Sequence, residues 1–199
     1  MSYKVLMRKI KILGRKYFVK PIVRVLVKMK IPANIVTFIS LFLGIVAFLF
    51  YWQGTFWAGA IFLFLCGIFD TFDGEIARQT NRVTKIGGFL DSTVDRINEF
   101  LIYLGLFLYY YTHEVYVLFW IFSAMFGSMM VSYTRARSES LGISPQVGFF
   151  ERFTRILLLI TGSFLGKSIM VYVLVLLTFG TIQTMIQRII YTHIKSARN

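Results

Sequence analysis

Six apolar segments separated by short polar connections constrain the fold of this 199-residue chain more than any other feature. A helix needs about 20 predominantly apolar residues to cross the hydrocarbon core of a bilayer. With 57% hydrophobic residues, the chain is more apolar than a typical soluble domain. The sequence therefore predicts an all-α integral membrane protein with six transmembrane helices. The segments are approximately Ile35–Trp52, Phe56–Phe69, Phe100–Tyr111, Val115–Tyr133, Phe149–Leu165 and Ser168–Ile186.

The second and third segments are short for a membrane crossing. Polar extensions, forward through Arg78 and back to Gly87, would complete both helices. Ionisable residues on a membrane helix usually mark function. We therefore expect these two helices to carry an active site to the membrane surface, within reach of water.

The basic residues predict the orientation in the membrane. Of 22 Lys and Arg residues, ten precede residue 31, and only Lys167 lies in the connections at 53–55, 112–114 and 162–167. Because cytoplasmic loops carry the excess of Lys and Arg, both termini and the acidic segment are predicted to be cytoplasmic at the cell membrane. This arrangement explains the net charge of +13 without nucleic-acid binding.

Residues 1–30 are predicted to form an amphipathic helix lying on anionic membrane lipid. Apolar residues alternate there with Lys and Arg at roughly helical spacing. The segment has no long apolar core or cleavage site of the kind that marks a signal peptide. A disordered basic tail is the alternative. Residues 1–199 are expected to form a single membrane domain.

Four carboxylates flank the connection between the second and third apolar segments. Asp70 and Asp73 are spaced i, i+3, and Asp91 and Asp95 are spaced i, i+4, so each pair shares a helix face. A short connection would place the two faces opposite each other, where the anions would repel. A divalent cation would neutralise them, and carboxylates without His or Cys suit Mg²⁺ or Mn²⁺. The pattern predicts a metal site that holds phosphates.

These residues form the pattern D-x2-D-G-x2-A-R-x8-G-x3-D-x3-D, which runs from Asp70 to Asp95. In this the chain resembles the CDP-alcohol phosphatidyltransferase family. The resemblance implies a CDP-diacylglycerol or CDP-archaeol donor, release of CMP, two Mg²⁺ or Mn²⁺ ions and a homodimer. It implies that Asp70, Asp73 and Asp91 are metal ligands. Asp95 would be the general base and would also contact a second metal.

The resemblance also assigns residues that bind the CDP-lipid. Small residues on the active face let the nucleotide approach the backbone, and Arg78 could bind the diphosphate. Other roles are open, since small residues also pack helices together, Arg78 could be a membrane anchor and Asn34 could cap a helix. Ala33 stands where the family usually has Pro. The residues assigned to the donor are Asn34, Thr37, Asp70, Gly74, Ala77 and Arg78.

A group of arginines near the cytoplasmic ends of the last three segments indicates an anionic acceptor. Ser132–Glu139, Glu151–Arg152 and Gln187–Arg188 resemble the subgroup that makes phosphatidylinositol phosphate or its archaeal equivalent, although Arg135 replaces the usual Lys. The implied acceptor is inositol 1-phosphate. The residues predicted to bind it are Arg135, Arg137, Arg152, Arg155 and Arg188.

Three other functions compete with this interpretation. Glycerol 3-phosphate as the acceptor would make the chain a phosphatidylglycerophosphate synthase. An intramembrane prenyltransferase also uses Asp pairs and Mg²⁺, but it lacks this motif. A divalent-cation transporter would place its carboxylates near the middle of the membrane, whereas these lie toward the cytoplasmic ends.

Overall fold

The computed structural model describes residues 19–197, and the regular structure within that range is helical. The predicted all-α fold is therefore confirmed for this part of the chain. The helices are α1 (Lys20–Lys28), α2 (Ala33–Trp52), α3 (Phe56–Gln79), α4 (Lys85–Tyr111), α5 (Val117–Ser140), α6 (Arg152–Leu165) and α7 (Lys167–Ser196).

Four of the described helices, α2, α3, α5 and α7, are long and apolar enough to span a membrane. The other two predicted spans differ from these. Helix α4 has 27 residues, but its first half contains the charged motif, and α6 has only 14 residues. These four helices indicate an integral membrane protein, and the count of six spans is not confirmed.

The polar ends of α3 and α4 are helical, as predicted. Helix α3 continues to Gln79 and α4 begins at Lys85, so five residues connect them. Thr84 caps α4 through its Oγ1, which accepts a hydrogen bond from the Gly87 N–H at 3.0 Å. Asn81 has a φ of 54° in this connection, and the Arg82 N–H closes the end of α3 on the Ala77 carbonyl at 2.9 Å. The two halves of the acidic motif are thus joined by a short, hydrogen-bonded turn.

The described chain divides into two compact units. The first contains residues up to Gly44 together with Phe64–Asn98. Its apolar core is formed by the buried side chains of Val23, Val36, Phe72 and Ile76. Burying Val23 attaches α1 to this unit. The acidic motif lies entirely within the first unit.

The second unit contains residues 45–63 and 99 onward. Within it, α7 packs against both α5 and α6. Buried hydroxyl pairs link its helices: Tyr51 bonds Ser163 at 2.8 Å, and Tyr103 bonds Ser128 at 2.9 Å. These pairs satisfy polar groups that would otherwise be costly to bury.

Large apolar side chains remain exposed along the membrane-capable helices. Lipid would cover these side chains, whereas a soluble monomer would leave them in water. The exposed aromatic residues include Phe38, Phe42, Trp57, Phe64, Phe119, Phe126, Tyr172 and Phe179.

Part of the predicted amphipathic segment, residues 1–18, lies outside the described residues. Within the described part, α1 buries Val23 and exposes the apolar side chains of Ile22 and Val25 beside its basic residues. This short helix matches the predicted amphipathic pattern, but contact with lipid is not established by it.

Two of the differences from the predicted boundaries affect the arginine segments. Helix α6 begins at Arg152, because Phe149–Glu151 are not helical. Helix α7 continues past the apolar segment to Ser196, so Gln187 and Arg188 lie inside it rather than at its end. Apolar composition indicates which residues are buried in lipid or protein. It does not mark the end of a helix, because the backbone hydrogen bonds of a helix can continue into polar sequence.

Candidate active site

Three of the four motif aspartates converge. Asp70 on α3, and Asp91 and Asp95 on α4, each place a carboxylate oxygen within 4.8 Å of the other two. All three are partly exposed. Oxygen donors from three carboxylates suit a hard cation such as Mg²⁺ or Mn²⁺. These residues therefore fit the metal implied by the motif.

Asp73 has a different environment. Its side chain is buried, and its Oδ2 accepts a hydrogen bond of 2.6 Å from Thr37 Oγ1 on α2. It lies outside the triad of converging carboxylates. Thr37, which the sequence assigned to donor binding, thus holds a motif carboxylate in this structure. Whether Asp73 also binds metal stays a prediction.

Arg78 is held by a buried carboxylate one turn away. Its Nη2 lies 3.2 Å from Oε2 of Glu75, which is almost fully buried, whereas half of the Arg78 side chain is exposed. Gln79 Nε2 donates to Glu75 Oε1 at 3.2 Å. A Cβ at Gly74 would lie 3.4 Å from the Arg78 guanidinium. The cation thus lies beside the small residue of the motif.

A pocket of about 590 Å³ lies beside the motif, in the first unit. It brings together Asn34 from the start of α2 and Ala77 from α3, both predicted to bind the donor. Asn34 lies inside the first turn of α2, so it does not precede the helix as a cap. Lys30 and Arg82 supply positive charge. The remaining lining residues are Val27, Ile31, Pro32, Ala33, Ile76, Thr80 and Thr84.

The predicted acceptor arginines of α5 are exposed. Arg135 Nε lies 2.9 Å from Glu139 Oε1, and Arg137 Nη1 donates to Ser140 Oγ at 3.4 Å. These contacts are local to the helix and leave the side chains accessible. Both arginines could bind an anion.

The arginines of α6 and α7 are more enclosed. Arg152 is partly buried at the first position of α6. Arg188 is buried and donates to the Val131 carbonyl at 2.6 Å and the Val147 carbonyl at 3.3 Å. Arg155 is fully buried against Glu99, with Nε–Oε1 at 2.7 Å. The structure gives Arg155 and Arg188 internal partners that the sequence did not predict.

Glu75 and Glu99 are structural partners that the sequence reasoning missed. A signal was present, because charged residues are rarely buried without a partner. Glu75 sits three residues before Arg78, and Glu99 directly precedes an apolar segment. The i, i+3 spacing points Glu75 to Arg78, whereas the position of Glu99 does not identify its partner, which lies 56 residues away.

Residues 30–190 match the model of the CDP-alcohol phosphatidyltransferase family. The chain is 37% identical over 169 residues to the archaetidylinositol phosphate synthase of Methanothermobacter thermautotrophicus, covering 82% of this chain and 84% of that protein.

Solved structures of the phosphatidylinositol phosphate synthase of Mycobacterium tuberculosis are also similar. The structure with CDP-DAG bound has a TM-score of 0.81 at 26% identity, covering 88% of this chain and 93% of that one. The complex with manganese and citrate has the same TM-score and identity, covering 88% of each chain. The family match and these relatives show that the chain belongs to the CDP-alcohol phosphatidyltransferase family.

Proposed function

We propose that this enzyme transfers the phosphatidyl or archaetidyl group of a CDP-lipid to inositol 1-phosphate, giving phosphatidylinositol phosphate or its archaeal equivalent and CMP. The observation that carries the proposal is the carboxylate triad of Asp70, Asp91 and Asp95 at the family motif. The archaetidylinositol phosphate synthase and the phosphatidylinositol phosphate synthase described above support the choice of acceptor.

The donor binds with its nucleotide in the pocket beside the motif. Ala77 lines this pocket and lies seven residues, or about two helical turns, from Asp70 on the same face of α3. The nucleotide and the diphosphate can therefore use one face of one helix. Gly74 leaves space between them, and Arg78, oriented by Glu75, binds a diphosphate oxygen.

Asp70, Asp91 and Asp95 would hold the metal, and Asp73 would complete the site with Thr37 as its hydrogen-bond donor. A bound pair of Mg²⁺ or Mn²⁺ ions supplies neutralisation of the diphosphate charge and stabilises the leaving CMP. Asp95 accepts the proton of the acceptor hydroxyl as its oxygen bonds to the lipid-bearing phosphorus. The bond from that phosphorus to the CMP oxygen breaks.

The acceptor phosphate binds to arginines of α5, α6 and α7. Arg135, Arg137 and Arg152 are at least partly exposed and carry the contact. Arg188 also contributes. Its side chain is buried, and its hydrogen bonds to the Val131 and Val147 carbonyls already fix its position. Charge-assisted hydrogen bonds to phosphate are roughly twice as strong as neutral ones, so this group favours a phosphorylated acceptor over a neutral polyol.

The membrane arrangement follows the sequence pattern. Six helices, α2 to α7, cross the bilayer, and the N-terminal segment that ends in α1 lies on anionic lipid. The termini and the active site face the cytoplasm. Residues 1–199 form one domain, and the enzyme is a homodimer. Exposed apolar side chains beside the basic residues of α1 support its placement on lipid, and the asymmetry of Lys and Arg supports the cytoplasmic orientation. The homodimer follows from the family resemblance alone.

An acceptor screen tests the function. Purified enzyme, CDP-lipid and Mg²⁺ are offered inositol 1-phosphate, free inositol, glycerol 3-phosphate or serine, and CMP release is measured. We expect fast release with inositol 1-phosphate only, and none in EDTA. Preference for glycerol 3-phosphate would make the enzyme a phosphatidylglycerophosphate synthase. Equal use of free inositol would contradict the role of the arginines.

A further inference from the structure

A fully buried ion pair joins Glu99 of α4 to Arg155 of α6 within the second unit. Two parallel contacts connect the side chains, Nε to Oε1 at 2.7 Å and Nη2 to Oε2 at 2.8 Å. Each side chain is about 1% exposed. Charges are buried at high cost unless they are paired with good geometry. The bidentate contact meets that condition.

Arg155 has further partners inside the protein. Its Nη1 donates to the Phe150 carbonyl at 3.0 Å, and its Nη2 lies 3.4 Å from Ser132 Oγ. A guanidinium has five N–H donors in a fixed plane, and these contacts with Glu99, Phe150 and Ser132 occupy four of them. Little of Arg155 is left to bind a ligand.

The backbone that Arg155 contacts is also fixed from its other side. The Phe150 N–H donates to Thr184 Oγ1 of α7 at 3.2 Å. The Phe150 ring lies directly against Gly180, where a Cβ would clash with it. Phe150 therefore has its carbonyl, its N–H and its ring all held, two residues before Arg152.

We propose that Glu99 and Arg155 are positioning residues that fix the backbone at Phe150 and thereby place Arg152 for the acceptor phosphate. In this role Arg155 supports the acceptor site without contacting the acceptor, in place of the contact expected from the sequence. The inference rests on the proposed function, since it assigns a position to a residue that binds the acceptor.

The variant Glu99→Gln distinguishes a positioning role of Arg155 from direct contact with the acceptor, because the two roles predict opposite changes in the acceptor KM. Positioning predicts a rise of about 3–10-fold in the KM for inositol 1-phosphate, with the KM for CDP-lipid changed less than about twofold. Direct contact predicts the opposite, because removing the competing carboxylate frees the guanidinium to bind phosphate. An unchanged or lower acceptor KM would therefore overturn the proposal.

A double-mutant cycle tests whether the two residues act as one unit. We expect Arg155→Met to raise the acceptor KM as Glu99→Gln does. The acceptor KM of the double variant should exceed that of either single variant by less than about twofold. Glu114→Gln, which alters a carboxylate in the loop before α5, should change neither KM. Additive effects on acceptor KM would contradict a shared positioning role.

Thermal unfolding provides a second measurement. Arg155→Met leaves the Glu99 charge buried and should lower Tm by about 6–20 °C, while Glu99→Leu with Arg155→Met should recover most of that loss. A fall in Tm with both KM values unchanged would reduce the pair to a purely structural role and refute the proposal. If Arg155→Met does not fold, Glu99→Asp still tests it, with a smaller rise in acceptor KM expected.

CMP release by the native enzyme distinguishes a failure of the proposed function from a failure of the positioning role. If it releases no CMP with inositol 1-phosphate, the proposed function fails, while the Tm cycle still reports whether Glu99 and Arg155 are coupled. If it does release CMP, failure of the kinetic cycle rejects only the positioning role.

Discussion

Asp91→Asn should stabilise the metal-free protein while removing its response to metal. Asp70, Asp91 and Asp95 place carboxylate oxygens within 4.8 Å of one another. At this upper limit of the separation and an effective dielectric constant of about 20, each pair of charges repels by about 3.5 kcal/mol. The substitution relieves two of the three repulsions.

Water reduces the benefit, because all three carboxylates are partly exposed. We expect about 1–2 kcal/mol to remain, which corresponds to a rise in Tm of about 2–8 °C in EDTA for a protein of this size. In the native enzyme, Mn²⁺ at about 100 times its Kd should add about 2.7 kcal/mol of stability. The variant should lose most of this gain.

Thermal unfolding of purified protein in detergent, with EDTA and with Mn²⁺, measures both effects. Asp70→Asn should behave in the same way, since it also relieves two repulsions. Glu114→Gln, a control carboxylate outside the motif, should alter neither melting temperature. The reasoning fails if Asp91→Asn melts below the native protein in EDTA, or if it keeps the full stabilisation by Mn²⁺.

Two further predictions concern the other carboxylates of the motif. Asp95→Asn should lower kcat by about 10²–10⁴-fold while CDP-lipid still binds in an equilibrium assay. Loss of donor binding would show that Asp95 is essential mainly as a metal ligand and would leave its role as the base without support. Thr37→Val, which removes the hydrogen bond to Asp73, should weaken Mn²⁺ binding measured by calorimetry by about 10–100-fold. Thr71→Val is the matched control, because Thr71 Oγ1 donates to the Gly67 carbonyl of its own helix. Equal Mn²⁺ affinities in the two variants would show that the hydrogen bond from Thr37 to Asp73 does not support the metal site.

Sequence spacing was sufficient to predict the convergence of the carboxylates. The i, i+4 interval of Asp91 and Asp95 places both on one face of α4, and the short connection brings Asp70 on α3 to that face. The same reasoning placed Asp73 with them, because it shares the face of Asp70, whereas the structure leaves it outside the triad. Its hydrogen bond comes from Thr37, 36 residues away, and local periodicity carries no information about which third helix covers a given face.

Charge patterns were less informative about the arginines. A basic residue near a helix end is consistent with an anchor at the membrane surface, a ligand contact or a buried ion pair, and these differ only in tertiary partners. Arg135 is exposed and Arg155 is fully buried, although both belong to the same kind of sequence segment. Arg155 is buried because it pairs with Glu99, and the position of Glu99 in the sequence does not indicate that it pairs with a residue of α6.

Because Thr84 caps α4, the number of residues between the cap and Asp91 determines where Asp91 and Asp95 lie around the helix axis. Helix α4 starts from a fixed point, so each residue added after Lys85 would rotate Asp91 and Asp95 by about 100° around the helix axis relative to Asp70. A residue added between Asn81 and Val83 would only enlarge the turn. Insertions a few positions apart therefore differ in their effect on the carboxylate triad. The chain should tolerate an added residue in the turn before α4 but not one in the first turn of α4.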